Sequence, residues 1–319
     1  MKHLKSILGE ATARLAAAQV DSPRLSAEVL LAHCLGLERG DLLKLAIMEP
    51  QNVLEQQVIT QFSALCARRG QGEPVAYLVG NKEFFGREFG LCSHTLVPRP
   101  ETELLVEKAL EVMRAKEGLL PGQGVFADFG TGSGCIAITL ALEMPGWQGI
   151  AIDISQEALE QARRNARGLG VGGAGGAGAV RFVQASFHCP PLPGRCLDLL
   201  VSNPPYVSLQ EYREISHEVR KFEPRAALVP ASETGPEPAR CDGFADIAAI
   251  IVQAERLLKP GGKLLFEMGH SQGAQALQTF EHRGWNNAVV YADLAGLPRV
   301  ACAEVPSSPF GHRISMASP

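Results

Sequence analysis

Val125-Phe126-Ala127-Asp128-Phe129-Gly130-Thr131-Gly132-Ser133-Gly134-Cys135 decides the fold. The mostly apolar run Val125–Phe129 predicts a buried strand. Three glycines alternating with Thr131 and Ser133 predict a tight turn that a ligand can approach closely. The run Cys135–Glu143 is apolar and predicts a helix. Strand, glycine turn and helix together open a parallel sheet with crossover helices.

Toward the C-terminus the alternation continues. Strands are expected at Gly149–Ile154, Val180–Gln184, Leu197–Ser202 and Lys263–Met268, and a terminal hairpin at Ala288–Ala292 and Arg299–Glu304. Helices are expected at Gln156–Leu169, Phe244–Leu258 and Gln272–Arg283. The Gly/Ala run Gly172–Gly178 and the Pro/Glu/Ala-rich Pro230–Arg240 are expected as surface insertions.

Toward the N-terminus the pattern is helical up to Arg69. Leu4, Ile7, Leu8 and Leu15 recur at the spacing of one helix face within Met1–Ala18. Asp21-Ser22-Pro23 predicts a capped start for a helix over Arg24–Cys34, which Gly36 ends. Asp41–Ile47 and Asn52–Arg69 complete a small all-helical domain. Gly70–Pro74 is expected as a hinge, and Phe84-Phe85-Gly86-Arg87-Glu88-Phe89 predicts a hairpin. Pro98-Arg99-Pro100-Glu101-Thr102-Glu103 then opens a helix with acids in its first turn. The expected organisation is a helical domain over 1–73, a hairpin connector over 74–97 and an α/β domain over 98–319.

The 319-residue length suits one large and one small domain, and the formal net charge of −4 lacks the basic excess of a protein that grips duplex DNA. The eight cysteines form no CxxC pair, and the eight histidines form no ligand spacing. A reducing cytoplasmic setting and no metal are therefore expected. The first helix contains Glu10 and lacks a signal peptide's apolar core, and no run reaches the ~20 apolar residues of a membrane span.

Asp153 ends the strand after the glycine loop, roughly 20 residues on, where a carboxylate meets ribose hydroxyls. The Gly130–Gly134 loop has an acid, Asp128, two residues ahead and lacks the GxGxxG spacing that serves a pyrophosphate. A ligand with a ribose and no phosphate fits better, and S-adenosyl-L-methionine is such a ligand. Asp128 is the expected partner of its ammonium group, directly or through water.

Asn203-Pro204-Pro205-Tyr206 follows the apolar strand Leu197–Ser202, so it stands at a strand's carboxyl end, where open α/β sheets bind ligands. An amide or aromatic amine nitrogen is a poor nucleophile because its lone pair is delocalised. The Asn203 side-chain oxygen can accept one N–H of such a group and the Pro204 carbonyl the other. The prolines stiffen the turn, and Tyr206 offers an aromatic face to a planar group. These residue types point to methyl transfer onto a planar nitrogen, with Asn203, Pro204, Pro205 and Tyr206 both catalytic and substrate-binding.

These residues resemble the PrmC/HemK family of protein-(glutamine-N5) methyltransferases that act on peptide chain release factors. The resemblance spans nearly the whole chain: Ser22-Pro23-Arg24-Leu25 with Ala27-Glu28, Gly72-Glu73-Pro74-Val75-Ala76-Tyr77, Val97–Glu103, the GTGSG loop, Asn203–Tyr206, Phe222-Glu223-Pro224-Arg225, and Asp293-Leu294-Ala295-Gly296 with Arg299-Val300. Asn-Pro-Pro-Tyr is shared with adenine-N6 and cytosine-N4 DNA methyltransferases. The Pro98–Glu103 and Phe222–Arg225 segments and the helical domain favour the glutamine enzymes. A ribosomal-protein glutamine methyltransferase, an adenine-N6 DNA methyltransferase and a non-catalytic cofactor-binding module are the rival readings.

The resemblance implies a seven-stranded Rossmann-like class I methyltransferase sheet, an α/β fold, with the small N-terminal helical domain and hairpin connector. It implies S-adenosyl-L-methionine as cofactor, class I release factors as partners, a monomer, and no direct nucleic-acid contact. The substrate would be the glutamine of the Gly-Gly-Gln motif, inserted between the domains onto Asn203, with the helical domain gripping the release factor. By position Gly130, Thr131, Gly132, Ser133, Gly134 and Asn203 would line the cofactor, Asp153 would hold its ribose, and Phe187 would lie against its adenine. The family commonly has an acid before that aromatic; this chain has Ser186. Arg99 and Glu101 are expected near the pocket or in a salt bridge, Glu223 and Arg225 near the Asn203 loop, and Glu267 at a strand end facing the cleft or in a capping or solvated role.

Overall fold

A computed structural model of the chain describes residues 3–118, 124–172, 178–231 and 242–306. Residues 173–177 and 232–240, which carry most of the two expected insertions, lie outside the described residues. The chain forms two compact units. One comprises residues 1–81 and 215–223, the other 82–214 and 224–319.

The first unit holds α1 (Leu4–Ala17), α2 (Pro23–Leu35), α3 (Arg39–Met48), α4 (Gln56–Arg69) and α5 (Val75–Val79). Leu4, Ile7 and Leu15 of α1 pack with Leu30 and Leu31 of α2, Phe62 of α4 and Leu78 of α5. The 3.6-residue period of the apolar positions thus becomes one shared core. Ser22 precedes α2 as expected, but it sits at φ 50° and its side chain makes no cap bond. Proline at the helix start and Gly36 at φ 65° after its end set the limits of α2 instead. Arg69 is buried; its guanidinium donates to the Glu73 carbonyl (2.9 Å) and pairs with Glu218 (2.7 Å).

The second unit begins with a hairpin, β1 (Asn81–Phe84) and β2 (Arg87–Gly90), turning through Phe85 and Gly86 at φ 52° and 72°. Both turn residues at positive φ match the right-handed twist of the strands. There follow α6 (Thr102–Lys116), β3 (Val125–Phe129), α7 (Cys135–Glu143), β4 (Gln148–Asp153), α8 (Gln156–Gly168), β5 (Ala179–Gln184) and β6 (Leu197–Ser202). After α9 (Leu209–Glu214) and α10 (His217–Phe222), the latter within the first unit, come α11 (Ala245–Leu257), β7 (Leu258–Glu267), α12 (Gly273–His282), β8 (Asn286–Ala292) and β9 (Pro298–Glu304).

Among the described residues seven strands form one sheet in the order β5-β4-β3-β6-β7-β9-β8. All neighbours are parallel except β7–β9 and β8–β9. Residues along each central strand alternate between two cores. Leu199, Val201 and Leu265 face a cluster with α6, α7 and the hairpin, while Leu200, Leu264 and Phe266 face one with α11 and α12. Helices cover both faces, which is why the parallel strands read as near-continuous apolar runs.

β7 is longer than expected, because Leu258 already pairs with Leu197. The Pro260-Gly261-Gly262 stretch is absorbed as an irregularity before Lys263 pairs with Leu199. Among the described residues no helix is long and apolar enough to cross a membrane.

Candidate active site

The ends of β3, β4 and β6 are neighbours in the sheet, so the loops that leave them meet. Phe129 is in register with Ile152 on one side and Ser202 on the other. The Ser202 hydroxyl donates to the Phe129 carbonyl (2.7 Å), clasping the two strand ends together.

The glycine loop needs its glycines. Gly130, Gly132 and Gly134 have φ of 71°, 55° and 82°, a region that strains other residues. Gly130 and Thr131 N–H both donate to the Ile152 carbonyl. Gly132 N–H donates to Asp153 Oδ2 and Ser155 N–H to Oδ1, each at 2.9 Å. A carboxylate has about four lone-pair sites, so Asp153 keeps acceptor capacity for ribose hydroxyls. Burial pushes its carboxyl up, and the backbone donors oppose this. Ser155 caps α8 by accepting from Ala158 N–H (3.1 Å).

A cleft of about 260 Å³, room for a nucleoside-sized group, collects most of the expected cofactor residues. Gly130, Thr131, Gly132 and Ser133 form one wall, with Asp153 and Phe187 beside them. Asn203 and Pro205 also line it, as do Arg99 and Thr102 at the start of α6. The Phe187 ring stacks on Phe129 (6.4 Å between centroids, 15° between planes) and on His188 (4.7 Å). The two stacking neighbours fix the plane of the Phe187 ring at the edge of the cleft. The Ser186 hydroxyl accepts from His188 N–H (3.2 Å) and shapes the turn that carries Phe187.

Four expected site residues are not on the cleft wall. Asp128 is fully buried and accepts from the Thr131 hydroxyl (2.7 Å), while Oδ1 has no hydrogen-bond partner among the described residues. Burial pushes its carboxyl up to about 7. Asp128 itself does not line the cleft, but the Thr131 that it holds does. Gly134 caps α7 on its N-terminal side, where a Cβ would stand 2.8 Å from Ile138 and 3.1 Å from Ala162. Pro204 is buried. The Tyr206 ring packs on the β6–β7–α11 core, and its hydroxyl donates to Glu267 (3.0 Å).

The Asn203 loop is braced on several sides. Val207 N–H donates to the Leu228 carbonyl (2.8 Å), and Gln272 Nε2 donates to the carbonyls of Tyr206 (3.1 Å) and Asp242 (2.9 Å). Leu228 follows the turn at Arg225, whose guanidinium lies 5.4 Å from the Tyr212 ring. Glu223 is buried within the first unit.

Three residues gain roles here that the sequence did not reveal. Asn203 Nδ2 donates to Thr102 Oγ1 (3.2 Å), and the Thr102 hydroxyl donates to Glu267 Oε2 (2.6 Å). Glu267 is neither solvated nor a cap. It is fully buried, and burial pushes its carboxyl up against the two hydroxyl donors and the charge of Arg299. The third is Asn165 of α8. Its oxygen accepts from Gly90 N–H (2.9 Å), and its nitrogen donates to the carbonyls of Gly90 (3.0 Å) and Ser133 (2.8 Å). It ties the hairpin to the glycine loop. Thr102 sits inside the quoted Pro98–Glu103 segment and Glu267 at a strand's carboxyl end, so both carried a positional signal. Asn165 carried none.

The sheet order, the glycine loop and the strand-end carboxylate define a Rossmann-like methyltransferase domain. Residues 123–296 match the model of a methyltransferase domain family, and residues 6–80 match the PrmC N-terminal domain. The chain is 47% identical over 298 residues to the release factor glutamine methyltransferase of Nitratidesulfovibrio vulgaris, covering 93% of each chain. It is 40% identical over 284 residues to that of Chlorobaculum tepidum (88% of this chain, 90% of the other). It is 38% identical over 301 residues to that of Vibrio cholerae (94% and 96%). The chain belongs to the release factor glutamine methyltransferase family.

Proposed function

We propose that this chain transfers the methyl group of S-adenosyl-L-methionine to the N5 amide nitrogen of the glutamine in the Gly-Gly-Gln motif of class I peptide chain release factors, supporting translation termination. One observation carries the reading. Asn203 lines the same cleft as the glycine loop and Asp153, in a chain 47% identical over 93% of its length to a release factor glutamine methyltransferase.

When bound, the cofactor supplies an electrophilic methyl on a good leaving group. The chain's own residues do the positioning. Gly130, Thr131, Gly132 and Ser133 would hold the cofactor from one wall of the cleft, Asp153 would accept from its ribose hydroxyls, and Phe187 would offer its ring to the adenine. Asp128 fixes Thr131, and Gly134 lets α7 start close under the loop. The Asn203 side-chain oxygen accepts one N–H of the substrate amide, and the Pro204 carbonyl accepts the other. Two acceptors hold the nitrogen in line and favour the positive charge that develops on it. The amide nitrogen would shed its proton to solvent once it carries the methyl group, so the chain needs no strong base beside Asn203. Pro205 stiffens the turn, and Tyr206 anchors it through Glu267. The helical unit recognises the release factor. The protein acts as a cytoplasmic monomer on a protein, without direct nucleic-acid contact.

The test is methyl transfer from labelled cofactor to purified release factor, ribosomal protein or DNA, with the label mapped by mass spectrometry. Label on the Gly-Gly-Gln glutamine is expected. Label on DNA adenine with none on that glutamine would sink the reading.

A further inference from the structure

Behind Asn203 lies a directed chain of buried hydrogen bonds. Tyr206 donates to one oxygen of Glu267 (3.0 Å) and Thr102 to the other (2.6 Å). Thr102 and Glu267 are only 2% and 1% exposed, so water does not compete for these bonds. A hydroxyl has one proton. With that proton committed to Glu267, the Thr102 oxygen can only accept from Asn203, and the group 3.2 Å away is therefore the amide nitrogen. An amide is planar, with oxygen and nitrogen on opposite sides. Fixing the nitrogen on Thr102 turns the Asn203 oxygen away from it, toward the cleft that Asn203 lines.

The direction matters because an asparagine side chain has two faces that fill the same space. One accepts and the other donates. A substrate amide presents N–H groups, so a turned Asn203 would set donor against donor. We propose that Thr102 and Glu267 are positioning residues that hold Asn203 with its oxygen, and not its nitrogen, toward the methyl-accepting amide. An ionised carboxylate, the form that the two hydroxyl donors and the charge of Arg299 favour, suits position 267 because it accepts only and leaves both hydroxyls to donate. This inference rests on the role given to Asn203 above.

The test uses the full chain with purified release factor, over a range of S-adenosyl-L-methionine concentrations up to saturation, comparing wild type with Thr102→Val and Thr102→Ser. Valine keeps the shape and removes the hydroxyl; serine keeps the hydroxyl. Thr102→Val should lower kcat about tenfold or more while the KM for cofactor stays within about twofold. Thr102→Ser should recover to within about threefold of wild type. Nuclear magnetic resonance of the 15N-labelled Asn203 side chain gives a readout independent of activity. One amide proton should be protected from exchange in wild type and Thr102→Ser and lose protection in Thr102→Val. Wild-type kcat in Thr102→Val, or an equal loss in both variants, overturns the inference. A wild-type chain that methylates no glutamine sinks the functional reading by itself. The Asn203 signal then still decides the hydrogen bond, and an unchanged signal in Thr102→Val overturns it.

Discussion

Removing the Asn165 side chain should loosen the glycine loop from behind. Asn165→Ala deletes the partner of three backbone groups: Gly90 N–H, Gly90 C=O and Ser133 C=O. Ser133 is 2% exposed, so its carbonyl finds no easy replacement. An orphaned buried group costs about 1–3 kcal/mol. Gly90 is half-buried, so water softens the loss of its two bonds to roughly 0.5–1 kcal/mol in total. The sum is about 1.5–4 kcal/mol of stability, or roughly 3–16 °C in Tm for a unit of this size. The site cannot simply close up. Gly90 already lies so near α8 that a Cβ on it would meet Gln161 at 2.5 Å.

Calorimetry gives the Tm, and titration with S-adenosyl-L-methionine gives the loop's competence. Cofactor affinity should fall by about threefold to tenfold, because Ser133 lines the cleft. Asn165→Asp separates hydrogen bonding from volume. The introduced carboxylate still accepts from Gly90 N–H but faces two carbonyls, so at neutral pH it should be at least as damaging as alanine. Burial and those carbonyls raise its folded-state pKa above the unfolded value. The folded state therefore binds the extra proton more readily, and stability should be regained as pH falls through that raised pKa. An Asn165→Ala protein with wild-type Tm and wild-type cofactor affinity would refute the coupling.

Two further substitutions separate chemistry from binding. Asn203→Ala should lower kcat by roughly 100-fold or more while cofactor affinity stays within about threefold; wild-type-like turnover in single-turnover assays would remove Asn203 from the mechanism. Asp153→Ala should weaken cofactor binding by about 10-fold to 100-fold, measured by isothermal titration, through the loss of charge-assisted bonds. An affinity within twofold of wild type would show that the ribose is held elsewhere.

The central strands were legible because burial on both faces leaves an unmistakable apolar run; β6 and α7 stand at the expected limits. The short helices α5, α9 and α10 were not. Five or six residues carry too little periodicity, and α5 exists because Leu78 reaches the helical core. For α10 a local signal was present, since Ser216 accepts from Val219 N–H in a cap. The site divides in the same way. The glycine loop, Asp153, Asn203 and Pro205 belong to short local patterns at strand ends and do meet on one cleft, whereas Pro204 and Tyr206 of the same turn do not line it. Thr102 and Glu267 are 165 residues apart, and Asn203 is 101 residues from Thr102. Only the packing of α6 against β6 and β7 brings them together, so no local pattern could pair them.

The strand order explains why these distant residues meet at Asn203. β6 lies between β3 and β7. Ser202 is in register with Phe129 on one side and Phe266 on the other. The next residue of each chain gives the row Gly130, Asn203 and Glu267, of which Glu267 still lies within its strand. Asn203 thus has the glycine loop on its β3 side and its orienting carboxylate on its β7 side. Slipping β6 by one residue would move Asn203 out of that row and turn Leu199 and Leu200 each to the wrong core. The burial pattern that fixes the register of the sheet is therefore the same constraint that aligns the asparagine with its two neighbours.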